Sequence, residues 1–229
     1  MAKKTLAEKT AEDIKAMIQK EGYKPGQKLP TEKELCETLN VGRNTLREAE
    51  RILQSHNIVY IRQGSGTYIS DKGGVPDDPF GLDMVSDRAK LMHDILQMLT
   101  IREPQAAGLA AERRTQEDLD KMERTLRGMQ IKIDSGSIPI EEECEFYRDI
   151  AHASSNIIFE RMSPIMTQGI RLFATTLRPL DFQYGVRNYR SVYTAIKAQK
   201  YTDAHNAMMY HLLFLGRQYQ MLVHYDNIN

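Results

Sequence analysis

A short segment rich in glycine, proline and aspartate divides the chain into two regions with different hydrophobic patterns. This segment, DKGGVPDDPFG at 71–81, follows a region with helix and hairpin signals and precedes a longer region with helical periodicity alone. We therefore predict a mainly α protein with two domains. They are placed at 1–71 and 86–229, joined by a linker at 72–85.

The first region predicts three helices followed by a β-hairpin. The helices are expected at 6–21, 31–39 and 42–54. Thr31 with Glu34 three residues later is the sequence of a capping box, which starts the second helix. Two β-branched and aromatic runs flank Gln63-Gly64-Ser65-Gly66, a composition typical of a hairpin turn that needs positive φ.

The third predicted helix carries three arginines on one face. Arg43, Arg47 and Arg51 are spaced i, i+4 and i+8, so their guanidinium groups project to the same side. A solvated stripe, partly neutralised by neighbouring glutamates, is the alternative for arginines taken alone. Here the arginine helix follows a capped helix and precedes a glycine-containing hairpin. This order of elements is typical of a helix that enters the major groove of DNA.

These motifs resemble the head of the GntR family of bacterial regulators, a winged helix-turn-helix DNA-binding domain. The resemblance rests on the residues Pro25, Gly26, Leu29, Pro30, Thr31, Glu32, Leu35, Val41, Arg43, Thr45, Leu46, Arg47, Glu48, Ala49, Gly64, Gly66, Thr67, Tyr68 and Ile69. It implies DNA contacts from Lys33, Arg43, Asn44, Thr45, Arg47, Gln63 and Gly64. Gly42 departs from the usual Ser or Thr, and Lys33 stands where Arg is usual.

The second region predicts helices throughout, packed as an all-α antiparallel bundle. They are expected at 86–112, 116–133, 140–154, 157–177, 186–199 and 202–224. Pro104 and Pro164 are expected to kink or break their helices. The run IREPQAAGLAAERRT at 101–115 is similar to the motif that opens the effector domain, of FCD type, in the FadR subfamily, and the similarity continues towards the C-terminus.

In many members of that subfamily, one Asp and three His hold a divalent metal beside the effector. The resemblance places Glu143, Tyr147, Tyr189 and His211 at those positions. Neutral phenols are poor ligands for zinc, manganese or nickel. We therefore expect a degenerate site with no metal and no cofactor, and a retained divalent metal is the alternative. Phenol hydroxyls can instead donate to an effector, although core packing explains either tyrosine alone.

By the same resemblance, the expected effector is a small organic acid, with Arg102 as a further candidate contact. We expect a homodimer that binds double-stranded operator DNA and acts as an effector-responsive repressor. A helical domain that only dimerises, without an effector, is the alternative. Because no motif arranges a set of catalytic residues, we expect no enzyme activity.

Composition limits the other classes of protein. Lys plus Arg and Asp plus Glu both total 31, so net charge by itself gives no support for nucleic-acid binding. No apolar run has the roughly 20 residues that cross a bilayer, and the first residues lack the apolar core of a signal peptide. We therefore expect a cytoplasmic protein without membrane contact. The cysteines, Cys36 and Cys144, do not have the spacing of a disulfide or zinc motif.

Overall fold

The structure is a computed structural model, and it describes residues 4–76, 78, 80–174 and 179–226. The chain forms two compact units, Met1–Pro79 and Phe80–Asn229. The point of division lies inside the segment predicted as a linker at 72–85. We call the first unit the head and the second the body.

The head contains three helices and a two-stranded antiparallel sheet. Its elements are α1 (Leu6–Glu21), α2 (Glu32–Leu39), α3 (Arg43–Ser55), β1 (Val59–Arg62) and β2 (Gly66–Ile69). The apolar stripe of α3 (Leu46, Ala49 and Leu53) is buried against Ile14 of α1 and Leu35 of α2. The arginine face is therefore the opposite side of a helix whose apolar side is fixed in a core.

Local sequence sets where α2 and α3 begin and end. The predicted capping box of α2 is confirmed, because Thr31 accepts from the backbone of Glu34 while the Glu34 carboxylate accepts from the backbone of Thr31. Asn40 ends α2 in the left-handed region at φ 52°. Gly42 caps α3 without a side-chain hydrogen bond.

The two strands form the wing expected from the sequence. Val59 pairs with Ile69 and Arg62 pairs with Gly66, so the turn consists of residues 63–65. Gly64 in that turn has φ +74°, a conformation that favours glycine. The segment before α2 runs beside β2, since the backbone nitrogen of Leu29 donates to the Thr67 carbonyl at 2.9 Å. This contact attaches the wing to the rest of the head.

The body is helical across its described residues. A short 3-10 helix at Leu82–Met84 precedes α4 (Arg88–Arg113), α5 (Gln116–Asp134), α6 (Ile140–Ala153), α7 (Ile157–Ala174), α8 (Pro179–Lys197) and α9 (Tyr201–Asp226). The helix predicted at 157–177 has its last residues, 175–177, outside the described residues. The one predicted at 186–199 begins earlier than expected, at Pro179. The mainly α fold with a winged head is confirmed.

Neither internal proline ends its helix, so of the expected kink or break, the break does not occur. Pro104 lies inside α4 and Pro164 lies inside α7. Proline removes one backbone donor, but packing on both sides can hold the remaining turns in place. Pro104 is buried in the body, where α4 is surrounded by α6, α7, α8 and α9.

The central position of α4 depends on close approach to α9. Gly108 of α4 faces the ring of Tyr201, and a Cβ built on this glycine would lie 2.7 Å from that ring. Gly216 of α9 faces Leu96 of α4 in the same way, at 2.9 Å. These two contacts align the helices antiparallel along the core that encloses the candidate effector residues.

Candidate functional site

The residues expected to contact DNA lie on one helix, its preceding neighbour and the wing of the head. On α3, Arg43, Asn44 and Arg47 are exposed and Thr45 is half-buried. Lys33 on α2 and the wing-turn residues Gln63 and Gly64 are exposed as well. All seven predicted positions are thus accessible to a large ligand.

Arg47 is held by a carboxylate of the preceding helix. Its Nε lies 3.1 Å and its Nη2 3.2 Å from oxygens of Glu32, a two-pronged ion pair at the surface. Glu32 raises the pKa of the Arg47 guanidinium, first by accepting its hydrogen bonds and then by charge attraction. DNA that binds Arg47 therefore has to compete with Glu32 or to share the guanidinium with it.

A cleft of about 670 Å³ lies between α3, the start of α2 and the wing. Four basic side chains are among the residues that line it, which are Lys28, Arg47, Arg51 and Arg62. The Arg62 guanidinium also lies over the Tyr60 and Tyr68 rings, at 5.2 and 5.1 Å from their centres. Glu32 and Glu50 also line the cleft, so its basic side chains outnumber its acidic ones by four to two. This excess of positive charge, beside a helix with exposed arginines, is suited to the phosphate backbone of DNA.

One buried carboxylate joins α3 to the wing. Glu50 is 4% exposed, and its Oε1 accepts from the Thr67 hydroxyl at 2.7 Å. Burial raises the pKa of the Glu50 carboxyl, against the opposing effects of the Thr67 hydrogen bond and of Arg47. From the sequence alone, Glu50 was expected to be only a surface charge that partly neutralises the arginines. Its position on the inner side of α3, one turn after Leu46, is the signal that identifies it as buried.

In the body, the four residues expected at the effector site come together. Glu143 and Tyr147 lie one turn apart on α6, Tyr189 is on α8 and His211 is on α9. The Tyr189 hydroxyl donates to Oε1 of Glu143, and Nε2 of His211 lies 3.0 Å from the Tyr147 hydroxyl oxygen. The Tyr189 and His211 rings have centres 4.1 Å apart. We call these four residues the polar cluster.

Burial determines the charge states in the polar cluster. No member is more than 4% exposed. Burial raises the pKa of the Glu143 carboxyl to about 7, although the Tyr189 hydrogen bond acts in the opposite direction. Burial also lowers the pKa of His211 to about 3, so its imidazole is neutral at pH 7. The cluster therefore offers neutral donors and acceptors together with one carboxyl group that can titrate.

The donor set of the polar cluster does not suit a divalent metal. Metal sites of this kind use imidazole nitrogen and carboxylate oxygen, whereas two of the four groups here are phenols. Burial and the negative charge of Glu143 hold the pKa values of both phenols well above 10, so neither is an anionic ligand at pH 7. In the described part of the chain, no three His, Cys, Asp or Glu side chains are placed to hold a metal ion.

Arg102, the remaining predicted effector residue, lies apart from these hydrogen bonds. It is 4% exposed, forms an ion pair with the adjacent Glu103, and donates through Nη2 to the backbone carbonyl of Phe159 on α7. Glu103 is completely buried, and burial raises the pKa of its carboxyl to about 7 despite the charge of Arg102. Glu103 belongs to the motif at 101–115, but its burial was not predicted from the sequence. Its position among the buried alanines of α4 could have indicated this.

Three buried polar atoms in this part of the body lack a hydrogen-bond partner among the described residues. They are Nε of Arg102, Oε2 of Glu103 and Nδ1 of His211. Such atoms are costly in a folded interior, and a bound molecule that supplies the missing hydrogen bond removes this cost. Separately, none of the helices in the described ranges is long and apolar enough to cross a membrane.

Comparisons with known proteins agree with both units. Residues 6–69 match the family described as "Bacterial regulatory proteins, gntR family", and residues 94–214 match the FCD domain. A solved structure named Streptococcus agalactiae GntR is 34% identical to this chain. It covers 92% of this chain and 99% of its own, with a TM-score of 0.81.

Curated relatives carry regulator names. The HTH-type transcriptional regulator LutR of Bacillus subtilis is 29% identical over 214 residues, covering 86% of this chain and 93% of that protein. The HTH-type transcriptional repressor NanR of Escherichia coli O1:K1 is 28% identical over 163 residues, covering 69% of this chain and 62% of that protein. With its winged helix-turn-helix head and FCD-type body, this chain belongs to the GntR family and is a DNA-binding transcriptional regulator.

Proposed function

We propose that this regulator is a repressor whose operator affinity is lowered by a small organic acid bound in the body. The observation that carries this proposal is the polar cluster, in which side chains from three helices meet by hydrogen bonds inside a largely apolar core. Buried polar groups cost free energy unless they are satisfied. A cluster of this kind, next to unsatisfied polar atoms, is suited to bind a polar small molecule.

In the head, we propose that residues of α3, α2 and the wing turn contact DNA. Arg43, Asn44, Thr45 and Arg47 face the major groove, where arginine can pair with guanine through two hydrogen bonds. Lys33 and the wing-turn residues Gln63 and Gly64 contact the sugar-phosphate backbone. The exposure of these side chains and the lining of the cleft by cations support this assignment.

The closed packing of the polar cluster supports a change in helix arrangement when a ligand binds. Glu143, Tyr147, Tyr189 and His211 bond to each other and leave almost no exposed surface. An effector has to separate them and thereby shift α6, α8 and α9. A ligand that fits one arrangement better shifts the population towards it. In a homodimer that holds two heads over a two-fold operator, such a shift changes the spacing of the heads.

The size of the effect follows from this coupling. Coupling free energies between sites are typically about 1–3 kcal/mol, which corresponds to roughly 5- to 150-fold in DNA affinity. The name of the relative NanR includes the word repressor, which supports repression as the direction. An acid is favoured as effector because Arg102 lies in the same core with an unsatisfied Nε.

A second function is a body that dimerises without sensing any ligand. The Tyr189 hydroxyl is bonded to Glu143 and the Tyr147 hydroxyl to His211, which favours this second function, since a structural core also requires satisfied polar groups. The two functions differ in one respect. Only a sensing body gains stability from a small molecule.

Thermal melting with a panel of carboxylates separates these functions. We would titrate the full-length protein with L-lactate, D-gluconate and D-glucuronate at constant ionic strength. An effector at 100 times its Kd stabilises the folded state by about 2.7 kcal/mol, and the midpoint rises with concentration. The same compound should weaken binding to a selected operator. If no acid in a broad panel raises the midpoint, the sensing function is wrong and the dimerisation function replaces it.

A further inference from the structure

We propose that Glu103 acts as an internal substitute for the effector's carboxylate on Arg102, so that acid binding is an exchange of one carboxylate for another. This inference rests on the proposed function, in that it assumes an acid enters the body. It adds the residue that occupies the anion site when no acid is bound.

Arg102 and Glu103 form a buried ion pair that has few additional hydrogen bonds. Arg102 is 4% exposed and Glu103 is 0% exposed. Removing two charges from water is costly, and a buried pair offsets this cost only when further hydrogen bonds satisfy both partners. Here Oε2 of Glu103 has no hydrogen-bond partner among the described residues. The free-energy cost of burying the Glu103 carboxylate is therefore only partly offset by its contacts.

The contact between Arg102 and Glu103 does not have the best geometry for an arginine–carboxylate pair. Neighbouring residues on a helix do not face each other, so an i, i+1 ion pair forms only when both long side chains turn towards one another. Only Nη1 of Arg102 donates to Glu103, whereas Nε has no partner in the described part of the chain. Arginine binds carboxylates best through two parallel N–H groups. Glu103 thus leaves the stronger mode of binding unused.

The guanidinium is held in place without Glu103. Nη2 of Arg102 donates to the Phe159 carbonyl, and the guanidinium carbon lies 5.2 Å from the centre of the Phe159 ring. These contacts come from α7, so the cation stays in place when its anionic partner changes. A fixed, desolvated guanidinium that keeps its position is a site for a carboxylate supplied by a small molecule.

The exchange site adjoins the polar cluster. Helix α4, which carries Arg102 and Glu103, packs against α6, which carries Tyr147, and the charge of Glu103 contributes to the raised pKa of Tyr147. The third unsatisfied atom, Nδ1 of His211, belongs to the imidazole that contacts Tyr147. An acid with a hydroxyl beside its carboxylate can therefore place the anion on Arg102 and the hydroxyl towards the cluster.

Chemical rescue tests the exchange without knowledge of the natural effector. Glu103→Ala deletes a CH2–COO⁻ unit, which acetate matches in size and charge. We expect the full-length variant to melt below wild type and to regain stability as acetate is added, following a saturation curve for a ligand of the folded state. Sodium chloride at equal ionic strength should not restore it. The Arg102→Met/Glu103→Ala double variant should not respond to acetate, because the cation is gone.

Failure of acetate to stabilise Glu103→Ala, or equal stabilisation of the double variant, would overturn the exchange. If Glu103→Ala does not fold, Glu103→Gln provides the second test, because it keeps the shape and removes the competing charge. L-lactate or whichever panel acid binds wild type should then bind Glu103→Gln about 10-fold more tightly. Unchanged affinity would contradict the inference.

The outcomes distinguish this inference from the proposed function. Panel acids that bind wild type and Glu103→Gln equally, without acetate rescue of Glu103→Ala, would refute the exchange and leave acid sensing standing. If acetate rescues Glu103→Ala but no acid in the panel raises the melting midpoint of wild type, Arg102 is supported as a carboxylate site that Glu103 fills. The same result would refute sensing of those acids.

Discussion

The two units of this regulator present their functional groups in opposite ways. In the head, the arginines of α3 are exposed, and Arg47 is paired with a carboxylate that water also reaches. In the body, Tyr147 and His211 are buried and bonded to each other. DNA can therefore reach the arginines of α3 without rearrangement of the head core, whereas the proposed effector would have to open the body core first.

Because of this difference, substitutions at the two sites should have different effects on stability and on binding. Substitutions at exposed head positions should change DNA binding and leave folding unaffected. Substitutions in the polar cluster should change folding and ligand response together, because the same contacts serve both. Buried polar networks of this kind are strongly stabilising only when every member is satisfied.

The largest stability effect should come from truncating Tyr147, which is 1% exposed. Tyr147→Ala leaves a cavity and removes the hydrogen-bond partner of His211, so we expect a loss of about 3–5 kcal/mol in the free energy of unfolding. Urea unfolding of the full-length protein measures it.

Tyr210→Ala is the matched control, because Tyr210 on α9 is 65% exposed. Its substitution should change the free energy of unfolding by no more than about 0.5 kcal/mol. Similar losses of stability for the two variants would contradict the claim that the buried polar cluster stabilises the body.

An intermediate effect should appear at the carboxylate that joins α3 to the wing. Glu50→Gln keeps an acceptor for Thr67 and removes a negative charge beside the basic cleft, so operator affinity should rise a few-fold. Burial raises the pKa of Glu50, so the wild-type carboxyl takes up a proton at a higher pH than an exposed glutamate. Wild-type affinity should therefore approach that of the variant as pH falls.

Fluorescence anisotropy with a labelled operator between pH 5.5 and 8 tests this at constant salt. Glu48→Gln is the control, since it makes the same change of charge at an exposed position of the same helix. An affinity gap between wild type and Glu50→Gln that stays constant over this pH range would contradict the assignment.

The smallest effect should come from Gly42, the N-cap of α3. This residue lies at φ −75° and ψ 155°, and a Cβ there would meet nothing within 4 Å. Gly42→Ser supplies a hydroxyl for the unsatisfied backbone donors of the first turn, so the head should gain a few tenths of a kcal/mol. Thermal melting of the full-length protein measures the gain, and a lower midpoint for the serine variant would show that the cap is not accessible.

The sequence predicted the head more completely than the body site, for a physical reason. Capping boxes, turn glycines and the arginine spacing on α3 are local signals, so Thr31, Gly64 and Arg47 could be interpreted within short windows. The helices of the body were equally visible from periodicity. Pro104 does not break its helix, because α4 is stabilised by neighbours that are distant in sequence.

The arrangement inside the body could be predicted only in part. The resemblance named Tyr189 and His211, but the chain separates them from Glu143 by 46 residues or more. Their contact depends on how α6, α8 and α9 pack, which no local pattern specifies. The burial of Glu50 and Glu103 was missed because periodicity identifies a buried face but does not reveal which charge that face will accommodate.

The most direct test of the account is operator binding by the Arg43→Ala/Arg47→Ala variant of the full-length protein. Both side chains are exposed on α3, so the variant should fold normally and lose at least about 100-fold in affinity for a selected operator at moderate salt. Lys9→Ala/Lys15→Ala on α1 removes the same charge at exposed positions and should lose little. A double arginine variant that binds the operator as tightly as wild type would contradict recognition of DNA through α3.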